Sequence, residues 1–198
     1  MHYNSKVHHR RSLRLQRYNY GQAGMYFVTV CTHERELVFG EIMGGKVVLN
    51  QVGRVVEEEW QQTSTLRPYV VLDEFIVMPN HFHAILMIIS AGRGTARRAP
   101  TTEQFGKPVS GSLPTIIRSF KSATAKRINN LHSAPGIPLW QRNYYEHIVR
   151  NEGALRRIRE YILTNPLRWE LDRENPARRG EDEFDHWLAS LSPDRGTA

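Results

Sequence analysis

Two histidines stand two residues apart in the stretch VMPNHFHAILMII, residues 77–89, inside an otherwise apolar run. In a strand, side chains at i and i+2 share a face, so His81 and His83 point the same way while Phe82 points into the opposite layer. Two imidazoles so placed can meet one cation. A bare His-x-His pair also arises by chance, and structural histidines bonded to backbone or water give the same spacing, so a third ligand is needed. The stretch REYILTNP offers one. Tyr161 and Asn165 are four apart and lie one above the other on a helix face, which presents a phenol and a metal-capable amide together beside the core stripe Leu155, Ile158 and Ile162. Taken singly, Tyr161 reads as a boundary residue with its hydroxyl in water, and Asn165 as a helix-terminal residue before proline.

The elements that must position these groups are legible from periodicity. MYFVTVCT (25–32) is rich in β-branched and aromatic residues and apolar on both faces, as a central strand is. GEIMGGK reads as a turn leading to NQVGRVVEEEWQQTSTL, where Val52, Val55, Val56 and Trp60 recur at helical spacing. YVVLDEFIVM and HFHAILMII read as two strands joined at Pro79-Asn80. Pro114 suits a first helical turn, and Ile116, Ile117, Phe120, Ala123 and Ile128 mark a helix with Arg118, Lys121, Lys126 and Arg127 among its polar positions. PLWQRNYYEHIV (138–149) reads as a strand, and a final helix starts at the cap residue Asn151 and runs to Asn165, where Pro166 stops it.

This order predicts an α+β, ferredoxin-like (RRM-like) fold: an antiparallel sheet packed with helices, its first and third strands central, with an additional C-terminal helix that carries Tyr161. The expected organisation is a basic arm over 1–20, a catalytic domain over 21–170 with a mobile basic loop at 90–112, and an acidic tail over 171–198. In that tail Phe184, Trp187 and Leu188 have the pattern of a short docking helix.

The formal charge of +7 is unevenly spread, because residues 180–198 carry −4 and leave +11 on the remainder. Lys6, Arg10, Arg11, Arg14 and Arg17 crowd the arm, and Arg93, Arg97 and Arg98 crowd the loop. Such an excess serves phosphate backbones, since each neutralised phosphate releases counterions. With the single cysteine Cys31 there is no internal disulfide, and a reducing cytoplasm is the expected setting. No apolar run approaches the roughly 20 residues of a membrane helix, and no secretory signal follows the basic start.

The combination of these parts carries more than any one of them. MPNHFHAIL, a basic loop and helix, WQRNYYEHIVRNEGALRRIREYI and then YILTNPLRW in this order resemble the REP-associated tyrosine transposases, a branch of the HUH single-tyrosine, IS200-like transposases. The resemblance covers most of the chain. It implies a divalent metal, Mg²⁺ or Mn²⁺, held by His81, His83 and Asn165, with Tyr161 as nucleophile. It also implies a metal-dependent single-strand DNA endonuclease and strand transferase that nicks near REP-type hairpins through a 5′-phosphotyrosine. Two imidazoles and an amide oxygen make a neutral site, and imidazole content alone also admits zinc.

The expected partners are single-stranded DNA and hairpins of REP or bacterial interspersed mosaic elements, bound by the basic arm, the loop and the Arg118–Arg127 helix; the expected place is the cytoplasm, on the nucleoid. A monomer is expected, with a homodimer as the alternative. Tyr144 and Tyr145 compete as nucleophiles and His147 as a ligand, but the two tyrosines are adjacent in a strand and lack an amide one helical turn away. The rival function is a hairpin- or nucleic-acid-binding regulator derived from a transposase that does not cleave.

Overall fold

A computed structural model describes residues 18–89 and 109–191. The basic residues expected in the arm and loop, Lys6, Arg10, Arg11, Arg14, Arg17, Arg93, Arg97 and Arg98, lie outside the described residues. The elements in chain order are β1 (Gly24–Cys31), β2 (Gly40–Met43), β3 (Lys46–Leu49), α1 (Gln51–Leu66), β4 (Val70–Met78), β5 (His81–Ile88), α2 (Leu113–Leu131), β6 (Tyr145–Val149), α3 (Glu152–Thr164), a 3₁₀ segment (Asn165–Leu171) and α4 (Glu183–Ser190). Four strands form one antiparallel sheet in the order β4-β5-β1-β6. The two strands read as apolar on both faces, β1 and β5, are the central pair, as a ferredoxin-like sheet requires. No described helix is long and apolar enough to cross a membrane.

The period of two along β5 sorts its side chains between two layers. Phe82, Ala84, Leu86 and Ile88 join the core under α1 and α2, with Val28, Val30, Trp60, Ile116, Ile117 and Phe120. On the other face Ile85 joins Phe27 under α3 and α4, with Leu155, Ile158, Tyr161, Ile162, Phe184 and Leu188. His81 and His83 continue that second face. Trp60 is fully buried, edge-on to Phe82 at 4.9 Å and to Phe120 at 5.2 Å. Trp60→Ala is expected to cost about 3–5 kcal/mol, read as a lowered urea midpoint; an unchanged midpoint would contradict this packing.

Helix starts follow the expected chemistry. Asn50 and Asn151 accept hydrogen bonds from the backbone N–H of Gly53 at 3.0 Å and of Ala154 at 2.8 Å, which caps α1 and α3. Gly53 is required for a second reason: a Cβ there would stand 2.1 Å from the Phe39 carbonyl oxygen.

Three expectations change. GEIMGGK is a β2–β3 hairpin whose Gly44 and Gly45 both take positive φ, 56° and 72°, as a two-residue turn matched to strand twist demands. The strand expected from 138 begins at Tyr145, because residues 138–144 leave the sheet and touch it only at a Thr32–Trp140 bridge. Pro166 ends α3 but does not end helical structure. It occupies an early position of the 3₁₀ segment, where its missing N–H costs nothing.

Candidate metal and tyrosine centre

The centre lies where the start of β5, the end of α3 and the chain beyond the 3₁₀ segment meet. His81 and His83 are fully buried or nearly so, with ring centroids 4.4 Å apart. Each ring is fixed through Nδ1. His83 Nδ1 is 2.9 Å from Thr29 Oγ1, its partner across the ladder. His81 Nδ1 is 2.9 Å from Asn80 Oδ1.

Asn80 sets the tautomer of His81. Its amide nitrogen donates to the carbonyls of Arg35 at 3.1 Å and Glu174 at 2.7 Å, so its oxygen faces the imidazole. An amide oxygen only accepts, so His81 Nδ1 carries the hydrogen and Nε2 presents a lone pair. That Nε2 is buried with no hydrogen-bond partner.

The two residues four apart on α3 arrive at the same place. The Tyr161 hydroxyl is 3.3 Å from His83 Nε2 and donates to Asp172 Oδ2 at 3.3 Å. Asn165 donates its amide N–H to the same Oδ2 at 2.6 Å, and its own Oδ1 is left buried and without a partner. Asp172 Oδ2 stands 3.8 Å from His81 Nε2.

His81, His83 and Asp172 each offer a donor atom within 4.8 Å of the others. Donor atoms of His81, His83 and Asp172 thus gather in one buried cluster, where His81 Nε2 and the nearby Asn165 Oδ1 lack hydrogen-bond partners. The residues present fit a divalent metal, and the group can hold one.

Burial governs the titration of these groups. It holds His83 well below the ordinary imidazole range and His81 below it against the opposing charge of Asp172, so both rings are neutral and able to ligate. Burial, and then Asp172, pushes the Tyr161 phenol well above its ordinary value. The phenol as it stands is a protonated, poor nucleophile.

The chain after the 3₁₀ segment covers the centre. Trp169 stacks on His81 with centroids 6.0 Å apart, and Phe184 of α4 lies flat on the Tyr161 ring at 3.7 Å and 7°. The Arg168–Asp182 ion pair, the Arg173–Asp185 pair at 3.9 Å and the Arg157 guanidinium 4.7 Å over the Trp187 ring hold α4 in place. Beside this lid a cleft of about 480 Å³ runs along Arg156, Arg157, Tyr161, Arg168, Glu183 and Phe184.

Other expected site residues divide. Arg118 and Lys126 are exposed on α2. Lys121 instead turns its amine to the carbonyls of Gln141, Arg142 and Asn143, and burial pulls it down to about 8. Arg127 pairs with Glu58 and Glu59 of α1. Tyr144 packs against the α1–α2 core, whereas Tyr145 lies on the α3 face with Arg173 over its ring at 5.2 Å. His147 pairs with Phe27 in the sheet, and burial lowers it. Sequence reasoning missed Asp172 and the cleft arginines. The run RWELDREN has no periodicity to mark its Asp as buried, although an acid seven residues beyond Asn165 was available as a signal.

No protein-family model matches the chain. An uncharacterised protein of Haemophilus influenzae is 39% identical over 173 residues, which span 86% of this chain and 95% of that protein. A second protein of that organism, named for the REP-associated tyrosine transposases, is 24% identical over 153 residues, 77% of this chain and 75% of its own. Among solved structures, one described as a REP-associated tyrosine transposase bound to a REP hairpin superposes with a TM-score of 0.50 at 19% identity, covering 80% of this chain and 74% of that one. It has the same fold.

Proposed function

We propose that this chain, which belongs to one family with the uncharacterised Haemophilus influenzae protein and is a relative of the REP-associated tyrosine transposases, is a metal-dependent single-strand DNA endonuclease and strand transferase. The observation that carries the reading is the Tyr161 hydroxyl 3.3 Å from His83 Nε2, inside a cluster of lone pairs that calls for a cation. His81 and His83 through Nε2, and Asn165 through Oδ1, would hold Mg²⁺ or Mn²⁺. When bound, such a cation withdraws charge from the scissile phosphate and steadies the charge that develops in in-line displacement.

The residues of the chain do the rest. Tyr161 supplies the attacking oxygen: a bond forms from that oxygen to phosphorus and the bond from phosphorus to the 3′ oxygen breaks. The proton lost by the phenol is balanced by the one gained at the released 3′-hydroxyl. The resulting 5′-phosphotyrosine keeps the bond energy, so another 3′-hydroxyl can reverse the step and join strands. A monomer is the proposed working form, with Tyr161, His81 and His83 meeting within one chain. A hairpin of REP type is the proposed substrate, since the structural relative is described as bound to one. Arg156, Arg157 and Arg168 line the cleft beside Tyr161 and are the cations proposed to meet the hairpin's phosphates, while Arg118 and Lys126 are exposed on α2 at the opposite face of the sheet.

The direct test is incubation of the full chain with a hairpin-bearing single-stranded oligonucleotide and Mn²⁺, followed by denaturing gel electrophoresis. A slowed, metal-dependent covalent species is expected; nicking without it, or no reaction, counts against the proposal.

Tyr161 is only 4% exposed beneath Phe184, so α4 must lift before a phosphate can enter. A flat aromatic pair contributes about 0.5–1.5 kcal/mol beyond its area, and about 1.4 kcal/mol is tenfold in population. Phe184→Ala should therefore raise the initial rate of adduct formation about tenfold. A lowered rate at unchanged fold would show that α4 supports the centre and does not close it.

A further inference from the structure

Both carboxylate oxygens of Asp172 are hydrogen-bonded within the centre. It is 1% exposed, its Oδ1 accepts the backbone N–H of Glu174 at 2.7 Å, and its Oδ2 accepts both from Asn165 Nδ2 at 2.6 Å and from the Tyr161 hydroxyl at 3.3 Å. A carboxylate oxygen offers about two lone-pair positions, so the two donors occupy Oδ2. The approach of His81 Nε2 to that same oxygen, at 3.8 Å, brings no hydrogen, because the tautomer fixed by Asn80 places the ring hydrogen on Nδ1.

Two consequences follow from hydrogen counting. The Asn165 amide has its nitrogen committed to Asp172, and its oxygen, like His81 Nε2, is buried with no hydrogen-bond partner. With the His83 tautomer whose Nδ1 donates to Thr29 Oγ1, the Tyr161 hydroxyl has one hydrogen and two acceptors at the same 3.3 Å, His83 Nε2 and Asp172 Oδ2. A charged acceptor takes the hydrogen in preference to a neutral one, which leaves the His83 lone pair unspent.

We propose that Asp172 is the positioning residue of the centre: it takes the phenol hydrogen of Tyr161 and the amide of Asn165, and so keeps His83 Nε2 and Asn165 Oδ1 free for the cation while aiming the nucleophile. This rests on the endonuclease reading. It differs from a role for Asp172 as a third metal donor, because its effect on the phenol persists when metal is in excess. Replacing the carboxylate by an amide removes the preferred acceptor. The phenol hydrogen then turns to His83 Nε2, and the Asn165 amide is no longer held one way round.

The experiment uses the full chain without DNA for Mn²⁺ binding by calorimetry or electron paramagnetic resonance, and with a hairpin oligonucleotide for adduct rate across a Mn²⁺ titration. Loss of a group that orients a ligand costs about 10–100-fold. Asp172→Asn is expected to weaken Mn²⁺ binding about tenfold and to lower the adduct rate about 100-fold even at saturating Mn²⁺. Asp172→Glu keeps the acceptor and should retain a higher saturated rate than Asp172→Asn, a comparison that stands even where the amide variant melts at lower temperature. Full recovery of Asp172→Asn in excess Mn²⁺ would make Asp172 a simple ligand and overturn the proposal. A wild type that binds Mn²⁺ and forms the adduct, beside an Asp172→Asn that does both equally well, overturns this inference alone. A wild type that does neither overturns the endonuclease reading and takes this inference with it.

Discussion

Tyr161→Phe is expected to bind hairpin DNA and Mn²⁺ as the wild type does, yet to form neither the covalent adduct nor a nicked strand. The substitution removes one oxygen and keeps the ring, so the stack on Phe184 at 3.7 Å and the edge contact with Phe27 at 6.3 Å survive. The lost hydroxyl bonds cost about 1 kcal/mol of stability, small beside truncation of a buried side chain. Against that stands the loss of the oxygen proposed to become esterified, which should lower cleavage by at least roughly 10⁴-fold, as removal of a covalent nucleophile does elsewhere. Mass spectrometry of the wild-type adduct should place the nucleotide on the peptide containing EYILTNPLR. Tyr144→Phe and Tyr145→Phe should retain cleavage, since Tyr144 faces the opposite core. An adduct mapped to either of those residues would falsify the assignment of the nucleophile while leaving the metal centre standing.

His81→Ala and His83→Ala should each abolish cleavage at Mn²⁺ concentrations that saturate the wild type. A group that merely orients a ligand is worth about 10–100-fold in metal affinity, so loss of a ligand should exceed roughly 100-fold. Hairpin binding should persist, because affinity rests on phosphate contacts made by cations elsewhere on the chain. The fold should persist as well: Asn80 keeps its bonds to the Arg35 and Glu174 carbonyls when the His81 ring is gone. Asn165→Ala should show a milder defect that excess metal recovers. Cleavage by either histidine variant at the wild-type rate would remove these residues from the metal site, whatever the fate of Tyr161.

The sequence by itself determined which residues share a face. The period of two in HFHAILMII places His81 and His83 together because strand side chains alternate strictly, and the spacing of Tyr161 and Asn165 follows from the turn of an α-helix just as locally. The central positions of β1 and β5 were legible from their two-sided apolar character, and the starts of α1 and α3 are set by Asn50 and Asn151. Only the tertiary structure decided what meets across distance. Asn80 reaches the Glu174 carbonyl 94 residues away, and Cys31 reaches the Glu174 carboxylate across 143.

Asp172, whose carboxylate accepts from Tyr161 and Asn165, lies beyond Pro166 in a segment with no regular period, so nothing local marks it as buried. The same holds for Phe184 over Tyr161, and for Lys121 and Arg127, whose charges the sequence offers to DNA but the fold directs to backbone carbonyls and to Glu58 and Glu59. Periodicity reports the orientation of a side chain relative to its own element. The partner it meets depends on how separate elements pack on each face of the sheet.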